Sequence, residues 1–214
     1  MNPLQIATDA VLVQATLPAG DVRQALSSAG WLLGEPALAG ARQRAVWSAP
    51  QQLLRLYLHF PVARPLEGIQ LSELAGTFRQ AFPQADSIQV SRLSRVFDVA
   101  GASCGDQPVF HYVVETDPET GWADEIARWY DAEHMPGLAA VPGCVRASRF
   151  INHDHGPQSY ACYDLLTQDT LGSQAWLAVR NTDWSSRARP HFTNTRRTMF
   201  ALPQAGLAPD SLSK

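Results

Sequence analysis

The alternation of apolar and polar residues predicts the same order of elements, βαββαβ, twice along the chain. In the first half the predicted strands are 9–17, 41–47, 53–60 and 87–99, and the predicted helices are 21–33 and 72–82. In the second half the predicted strands are 109–115, 144–152, 158–166 and 196–202, and the predicted helices are 123–135 and 170–180. A period of about a hundred residues is too long for a solenoid repeat, so it indicates two copies of one domain.

A βαββαβ unit forms an antiparallel sheet of four strands with both helices on one face, which leaves the other face bare. Two such units can cover their bare faces by packing sheet against sheet. The sequence therefore predicts an α+β fold in which two repeats within one chain form a barrel, as an internal pseudo-dimer. The expected boundaries are 1–100 for the first repeat, 108–203 for the second, and 204–214 for a flexible tail rich in Gly, Pro and Ser.

Charge and cysteine content exclude several classes of function. A net charge of -3 gives no electrostatic basis for binding nucleic acid or an anionic membrane. The amino terminus lacks the features of a secretory signal, no apolar run is long enough to span a bilayer, and we expect a cytoplasmic protein. Cys104, Cys144 and Cys162 are too scattered for a zinc module or disulfide scaffold, and no nucleotide-binding loop is present, so we expect neither metal nor cofactor.

The run from Trp129 to Leu138 carries the strongest indication of a functional site. At helical spacing, Tyr130 and His134 lie one turn apart on the same face. Pro136 and Gly137 predict the end of the helix just beyond the histidine. A histidine there is suited to proton exchange near neutral pH, with Tyr130 orienting it or the substrate. The alternative is a structural histidine that favours the negative end of the helix dipole.

Polar side chains on two strands form a second group of candidates. Arg55, Tyr57 and His59 alternate with an apolar face that would pack under the helices. The corresponding polar face of the second repeat offers Tyr160 and Asp164, and the strand before it offers His111. If the sheets enclose a cavity, these six side chains line it and bind a ligand; the alternative is a sheet face exposed to solvent.

Four arginines near the carboxyl end could bind an anion. They are Arg187, Arg189, Arg196 and Arg197. Because they are interspersed with Trp184, His191 and Asn194, the sequence favours a solvated surface instead.

The second half resembles the dimeric α+β barrel superfamily, which has a ferredoxin-like fold, and is most similar to its EthD-like branch. The resemblance covers about 109–200, and its matching segments are 128–136, Val141-Pro142-Gly143, 156–165, Ala175-Trp176 and 184–197. The first half resembles the superfamily only in its order of elements. Relatives with this fold include cofactor-independent monooxygenases, muconolactone-type isomerases and haem-degrading enzymes, so the resemblance specifies the fold more than the reaction.

These observations together predict a barrel that binds a small apolar or aromatic ligand. They leave open whether two copies of the chain form a homodimer. The expected activity is that of a catabolic or secondary-metabolism enzyme of isomerase, lyase or cofactor-independent monooxygenase type. His134 and Tyr130 would be its catalytic residues. The alternatives are a non-catalytic carrier or accessory protein and a haem-binding or haem-degrading protein.

Overall fold

The computed structural model describes residues 6–27, 32 and 34–203. The predicted tail over 204–214 and the end of the first predicted helix lie outside the described residues. The chain divides into two compact units. The first holds Met1–Arg95, Asn152–His155 and Ala201–Lys214, and the second holds Val96–Ile151 and Gly156–Phe200.

The first unit contains most of the elements of the first predicted repeat. Its elements are β1 (Ala7–Thr16), α1 (Ala19–Ser27), a 3-10 turn (Pro36–Leu38), β2 (Arg42–Ser48), β3 (Leu53–Pro65), α2 (Gly68–Ala81) and the greater part of β4 (Asp86–Ala100). Strand β3 pairs antiparallel with β1 and β2, and β1 pairs with β4 on its other edge. The order of strands is therefore β2-β3-β1-β4, with β1 and β3 in the centre.

Strand β3 illustrates how the alternating pattern builds this core. Leu54, Leu56, Leu58 and Phe60 share one face and pack in a cluster that also contains Phe78 of α2. The opposite face is buried too, since Arg55 and Tyr57 are each 2% exposed. The prediction that the apolar face lies under the helices is therefore confirmed.

Helix α2 begins earlier than predicted. Ser72 was expected to open it, but the helix starts at Gly68 with Glu67 as the N-cap. Glu67 and Gln70 form a capping box, in which the side chain of each residue accepts a hydrogen bond from the backbone amide of the other. Ser72 lies inside the helix and donates a hydrogen bond to the Gly68 carbonyl at 3.2 Å. The expectation that Ser72 opens the helix was wrong, because the side chain of Glu67 already accepts a hydrogen bond from the Gln70 amide in the first turn.

The second unit repeats the order of elements with more irregular helices. Its elements are β5 (Phe110–Pro118), α3 (Ala123–Trp129), a π-helical turn (Tyr130–His134), α4 (Met135–Ala139), β6 (Cys144–Asn152), β7 (Ser159–Leu165), a 3-10 turn (Gln168–Gly172), α5 (Gln174–Arg180), α6 (Asp183–Ala188), a further 3-10 turn (Arg189–His191) and β8 (Phe192–Ala201). Strand β7 pairs antiparallel with β5 and β6. The helices cover one face of this sheet, where Trp129, Leu138 and Trp176 pack with Tyr163.

All eight strands follow one hydrogen-bonded order, β1-β3-β2-β8-β5-β7-β6-β4, which closes through the pairing of β4 with β1. The predicted α+β class, with antiparallel strands in a barrel topology, is therefore confirmed. Within the described part of the chain, no helix is both long enough and apolar enough to cross a lipid bilayer.

Gly101 marks a close backbone approach that we expect to be sensitive to any side chain. A Cβ at this position would lie 2.1 Å from the carbonyl oxygen of Cys144, and the Gly101 amide donates to the Val145 carbonyl at 2.9 Å. We therefore expect Gly101→Ala to lower the free energy of unfolding by about 1–3 kcal/mol or more, because backbone must move. The matched control is Gly105→Ala, where nothing lies within 4 Å of the added carbon. Equal urea midpoints for the two variants would contradict this account.

Candidate functional site

His134 lies inside a continuous helical stretch over 123–139 and not at its end. Helices α3 and α4 are joined by the π turn Tyr130–His134, whose defining hydrogen bond runs from the Met135 amide to the Tyr130 carbonyl. The prediction that Pro136 and Gly137 end the helix was wrong. In an α-helix Pro136 would remove a hydrogen bond and clash with the preceding turn, whereas here it occupies the first turn of α4, directly after the wider π turn.

The π turn determines which side chains surround the imidazole. Trp129, five residues before His134, stacks on its ring with centroids 4.1 Å apart. Tyr130 contacts the ring edge-on at 5.7 Å. Tyr130 is itself packed parallel to Phe192 at 5.9 Å. The histidine is therefore held in a cage of aromatic rings and is 8% exposed.

Burial sets the protonation state of His134. Its pKa is lowered to about 3, first because the charged form loses hydration and then because the positive charges of Arg189 and Arg180 oppose it. The ring is therefore neutral throughout the physiological range. The helix continues to Ala139, so the alternative of a histidine stabilised by the helix end is also wrong.

Two polar atoms of this cage lack partners. Nδ1 of His134 and Nε1 of Trp129 are buried and form no hydrogen bond with any described residue. A buried polar group without a partner costs about 1–3 kcal/mol, so native structures seldom leave one unsatisfied unless a ligand or water completes it. Two such atoms on stacked rings are typical of a site that receives a polar group.

A pocket opens beside this cage, on the helix-covered face of the sheet of the second unit. Its lining includes Tyr112 and Tyr163 from the sheet, His134 and its two aromatic neighbours from the helix, and Trp176 from α5. The volume of this cavity is about 50 Å³. That is room for roughly three or four waters, or for one small polar group, before any side chain moves.

The two buried tyrosines keep their protons. Burial raises the pKa of Tyr130, and the opposing positive charges of Arg149 and Arg197 do not reverse the effect. The pKa of Tyr163 is also raised by burial, and its hydroxyl donates to Sδ of Met135 at 3.1 Å. Tyr130 can therefore act as a hydrogen-bond donor but not as a base.

Three arginines, Arg180, Arg189 and Arg197, complete the lining, and no carboxylate from the described part of the chain belongs to it. Arg189 donates to the Arg180 carbonyl at 3.2 Å. Burial lowers the pKa of Arg189, and the neighbouring charges of Arg180 and Arg197 lower it further. The pocket is therefore electropositive although the whole chain has a net charge of -3.

The structure separates the predicted site residues into groups. His134 and Tyr130 share the pocket, as described above. The six predicted ligand-binding residues do not line it: in the first unit Arg55 and Tyr57 are buried in β3, and His59 stacks on Tyr57 at 5.8 Å. In the second unit His111, Tyr160 and Asp164 are buried, and Nδ1 of His111 lies 2.7 Å from Oδ1 of Asp164.

Several pocket residues were missed or misread in the sequence. Arg189 and Arg197 line the pocket, although the sequence favoured a solvated surface for all four carboxyl-terminal arginines. Arg187 is placed on that surface, 3.9 Å from Glu125, and Arg196 borders a separate polar groove. The useful signal was the alternation along β8, which sends Arg197 to one face and Arg196 to the other.

Comparisons with known proteins identify the fold. The sequence matches no protein-family model and no curated protein. Among solved structures, a proposed monooxygenase from Lactobacillus acidophilus superposes with a TM-score of 0.61 at 12% identity over 92% of this chain and 94% of the other. An anthrone oxidase-like protein gives 0.57 at 14% identity over 91% of both chains. A haem-degrading enzyme from Listeria monocytogenes gives 0.51 at 7% identity over 91% and 99%. At these identities the likeness shows a shared α+β barrel fold.

The pocket does not fit haem. A haem-sized ligand needs a cavity of several hundred Å³, whereas the volume of this cavity is about 50 Å³. Nor does the described part of the chain contain a group of three or more His, Cys, Asp or Glu arranged to hold a metal ion.

The depressed pKa of His134 makes a prediction about stability. The unfolded chain has a histidine pKa near 6.5 and the folded protein about 3, so acid protonates the unfolded state first. Stability contributed by the neutral ring is complete above pH 6.5 and is lost as the pH falls toward 3. We expect the unfolding free energy of the wild type to fall between pH 6 and 4 more steeply than that of His134→Gln, by up to about 1.4 kcal/mol per pH unit.

The control is His155→Gln, which removes an exposed histidine of the first unit. Its curve should run parallel to that of the wild type, because the substitution lies outside the His134 pocket and leaves the buried imidazole in place. Parallel curves for the wild type and His134→Gln in urea titrations at each pH would show that His134 is not held neutral.

Proposed function

We propose that the second unit is a small-molecule enzyme in which His134 removes a proton from a bound ligand without a cofactor. The observation that carries the proposal is the pair of buried, partnerless atoms, Nδ1 of His134 and Nε1 of Trp129, beside a pocket lined by arginines. A ligand carrying a polar group, admitted by a small side-chain movement, would satisfy both atoms. A purely structural core gains nothing from such an arrangement.

The electrostatics of the pocket support proton abstraction. Arginine charges lower the pKa of His134, but they lower the pKa of an acidic ligand as well, because they stabilise its anion. Proton transfer depends on the difference between these two effects. If the negative charge of the ligand develops closer to the arginines than the imidazole is, the arginines lower the pKa of the ligand more than they lower the pKa of His134. Transfer also leaves the imidazolium beside a new anion, which raises its pKa at the moment it is charged.

Tyr130 has a supporting role in this proposal. Its hydroxyl remains protonated because burial raises its pKa. Its ring packs edge-on against His134 and face-to-face with Phe192, which fixes the position of both. The guanidinium of Arg149, 5.2 Å from the ring centroid, completes the packing, and Asp131 holds Arg149 at 3.0 Å. Tyr130 would therefore orient the base and donate a hydrogen bond to the ligand.

The reaction begins with an anion formed from a C–H or O–H bond, and three outcomes follow from that anion. The proton can return at another atom, as in an isomerase; a bond can break or form, as in a lyase or cyclase; or the anion can reduce O2, as in a cofactor-independent monooxygenase. The names of two structural neighbours, a proposed monooxygenase and an anthrone oxidase-like protein, support the third outcome.

We assign the second unit to the EthD-like branch as part of the same proposal, on the run from Arg128 to Pro136. We further propose that the protein is soluble and cytoplasmic and that two copies of the chain form a homodimer. We also propose that the buried polar strand faces bind ligand within each unit, with Arg55 as an example in the first unit and His111 as an example in the second.

Hydrogen–deuterium exchange tests the proton-acceptor role directly. Phenylacetone and phenylpyruvate are single-ring probes with an acidic benzylic C–H next to a carbonyl. In D2O, the wild type should accelerate deuterium incorporation into one or both, as measured by mass spectrometry. His134→Gln should lose on the order of a hundredfold or more of this rate while remaining folded, because general-base catalysis contributes about that much.

His155→Gln serves as the matched control, since it removes an exposed imidazole. Its exchange rate should equal that of the wild type. The proposal fails if neither probe exchanges faster with the wild type than with His134→Gln, or if both histidine variants lose the same fraction of the rate.

A further inference from the structure

The three arginines of the His134 pocket have no carboxylate partner among the described residues, whereas several other described arginines do. Arg92 pairs with Asp154, Arg146 with Asp98, Arg149 with Asp131, and Arg128 with Glu125. By contrast, no described carboxylate forms an ion pair with Arg180, Arg189 or Arg197. Three like charges held close together raise the energy of the folded protein, and an anion bound between them would relieve that repulsion.

The arginines come from three different elements and act on the same small volume. Arg180 ends α5, Arg189 begins the 3-10 turn that follows α6, and Arg197 lies on β8. All three lower the pKa of Tyr112, although burial raises it overall. Arg189 and Arg180 also act on His134. Their fields therefore converge on the space between Tyr112 and His134.

Aromatic side chains form the walls of the same space. Tyr112 stacks on Tyr163 at 6.3 Å, and Trp176 meets Tyr163 edge-on at 5.2 Å. Trp129 lies on the other side, stacked on His134. Such walls favour a planar ring, and arginine favours a planar anion such as a carboxylate or a phenolate. The cavity of about 50 Å³ holds only the charged group, so the ring enters only when the aromatic walls move apart, and this limits the ligand to a single ring.

We infer that the His134 pocket selects a small aromatic anion, with its charged group held by Arg180, Arg189 and Arg197 and its ring against the tyrosines and tryptophans. This inference rests on the proposed function, because it specifies the substrate class of the same site. It explains why the lining has three cations and no carboxylate. It also places the negative charge of the ligand where it offsets the repulsion among the arginines.

Binding of matched charged and neutral probes tests the inference. Phenylpyruvate and phenylacetone share the ring and the carbonyl and differ in one carboxylate, while pyruvate has the carboxylate without the ring. Calorimetry and the fluorescence of Trp129 and Trp176 report binding. We expect phenylpyruvate to bind at least about tenfold more tightly than either of the other probes, and its affinity to fall as salt is raised.

Arg197→Gln and Arg196→Gln form a matched pair of variants. The two residues are adjacent on β8 and exposed, and only Arg197 lines the pocket. We expect Arg197→Gln to weaken phenylpyruvate binding by on the order of tenfold and Arg196→Gln to leave it unchanged. Phenylacetone binding should respond to neither substitution.

Several outcomes would overturn the inference. They are equal affinity for phenylpyruvate and phenylacetone, equal affinity for phenylpyruvate and pyruvate, equal losses from the two arginine variants, and no binding of phenylpyruvate at millimolar concentration. The proposed function fails separately. If phenylpyruvate binds selectively but its benzylic C–H does not exchange, the anion site stands and the base is wrong. If phenylacetone exchanges as fast as phenylpyruvate and binds as tightly, the base stands and the anion site is wrong.

Discussion

The stacking of Trp129 on His134 is the contact on which the rest of the candidate site depends. Because the ring centroids lie 4.1 Å apart, one face of the imidazole is closed to water. The stacking contributes to the burial that lowers the pKa of the ring, and Nδ1 has no hydrogen-bond partner among the described residues. The contact exists because the helix contains a π turn, in which residues five apart become neighbours. Without that turn the imidazole would have different neighbours and a different degree of burial.

The three arginines of the pocket favour the neutral form of His134. A protonated imidazole among Arg180, Arg189 and Arg197 would add a fourth positive charge to a half-closed space, at a high electrostatic cost. A neutral imidazole adds none and can still accept a proton once an anion is present to compensate. The depressed pKa of the free protein is thus compatible with a basic role, because ligand binding changes the charge balance of the pocket.

The sequence predicted the order and type of the elements well, because periodicity reports which face of a strand or helix is buried. Strand β6, for example, was predicted over 144–152 and occupies Cys144–Asn152. The helix that holds His134 was predicted to end too early, since Pro136 normally stops an α-helix and the π turn that accommodates it has no signature in a single sequence. The contact between Trp129 and His134 was not predicted for the same reason, because α-helical spacing assigns Tyr130 as the neighbour of His134.

The composition of the pocket was harder to predict than its location. Arg180, Arg189 and Arg197 come from separate elements, and their convergence depends on how α5, a 3-10 turn and β8 pack together. Sequence spacing carries no information on such packing. The sequence predicted a cavity lined by polar strand faces, with Tyr57 and Tyr160 as examples, whereas this pocket lies on the helix-covered face of the second unit. Those strand residues are buried, and their role in ligand binding stays a prediction.

The central claim is that His134 is a neutral imidazole enclosed in an electropositive pocket. The ¹⁵N chemical shifts of its ring, assigned by comparison with His134→Gln, report its protonation directly. The account predicts the signature of a neutral ring, with no titration between pH 8 and pH 5, because burial and the two nearby arginines lower the pKa to about 3. A transition to the imidazolium form near pH 6.5, as in an exposed histidine, would contradict it.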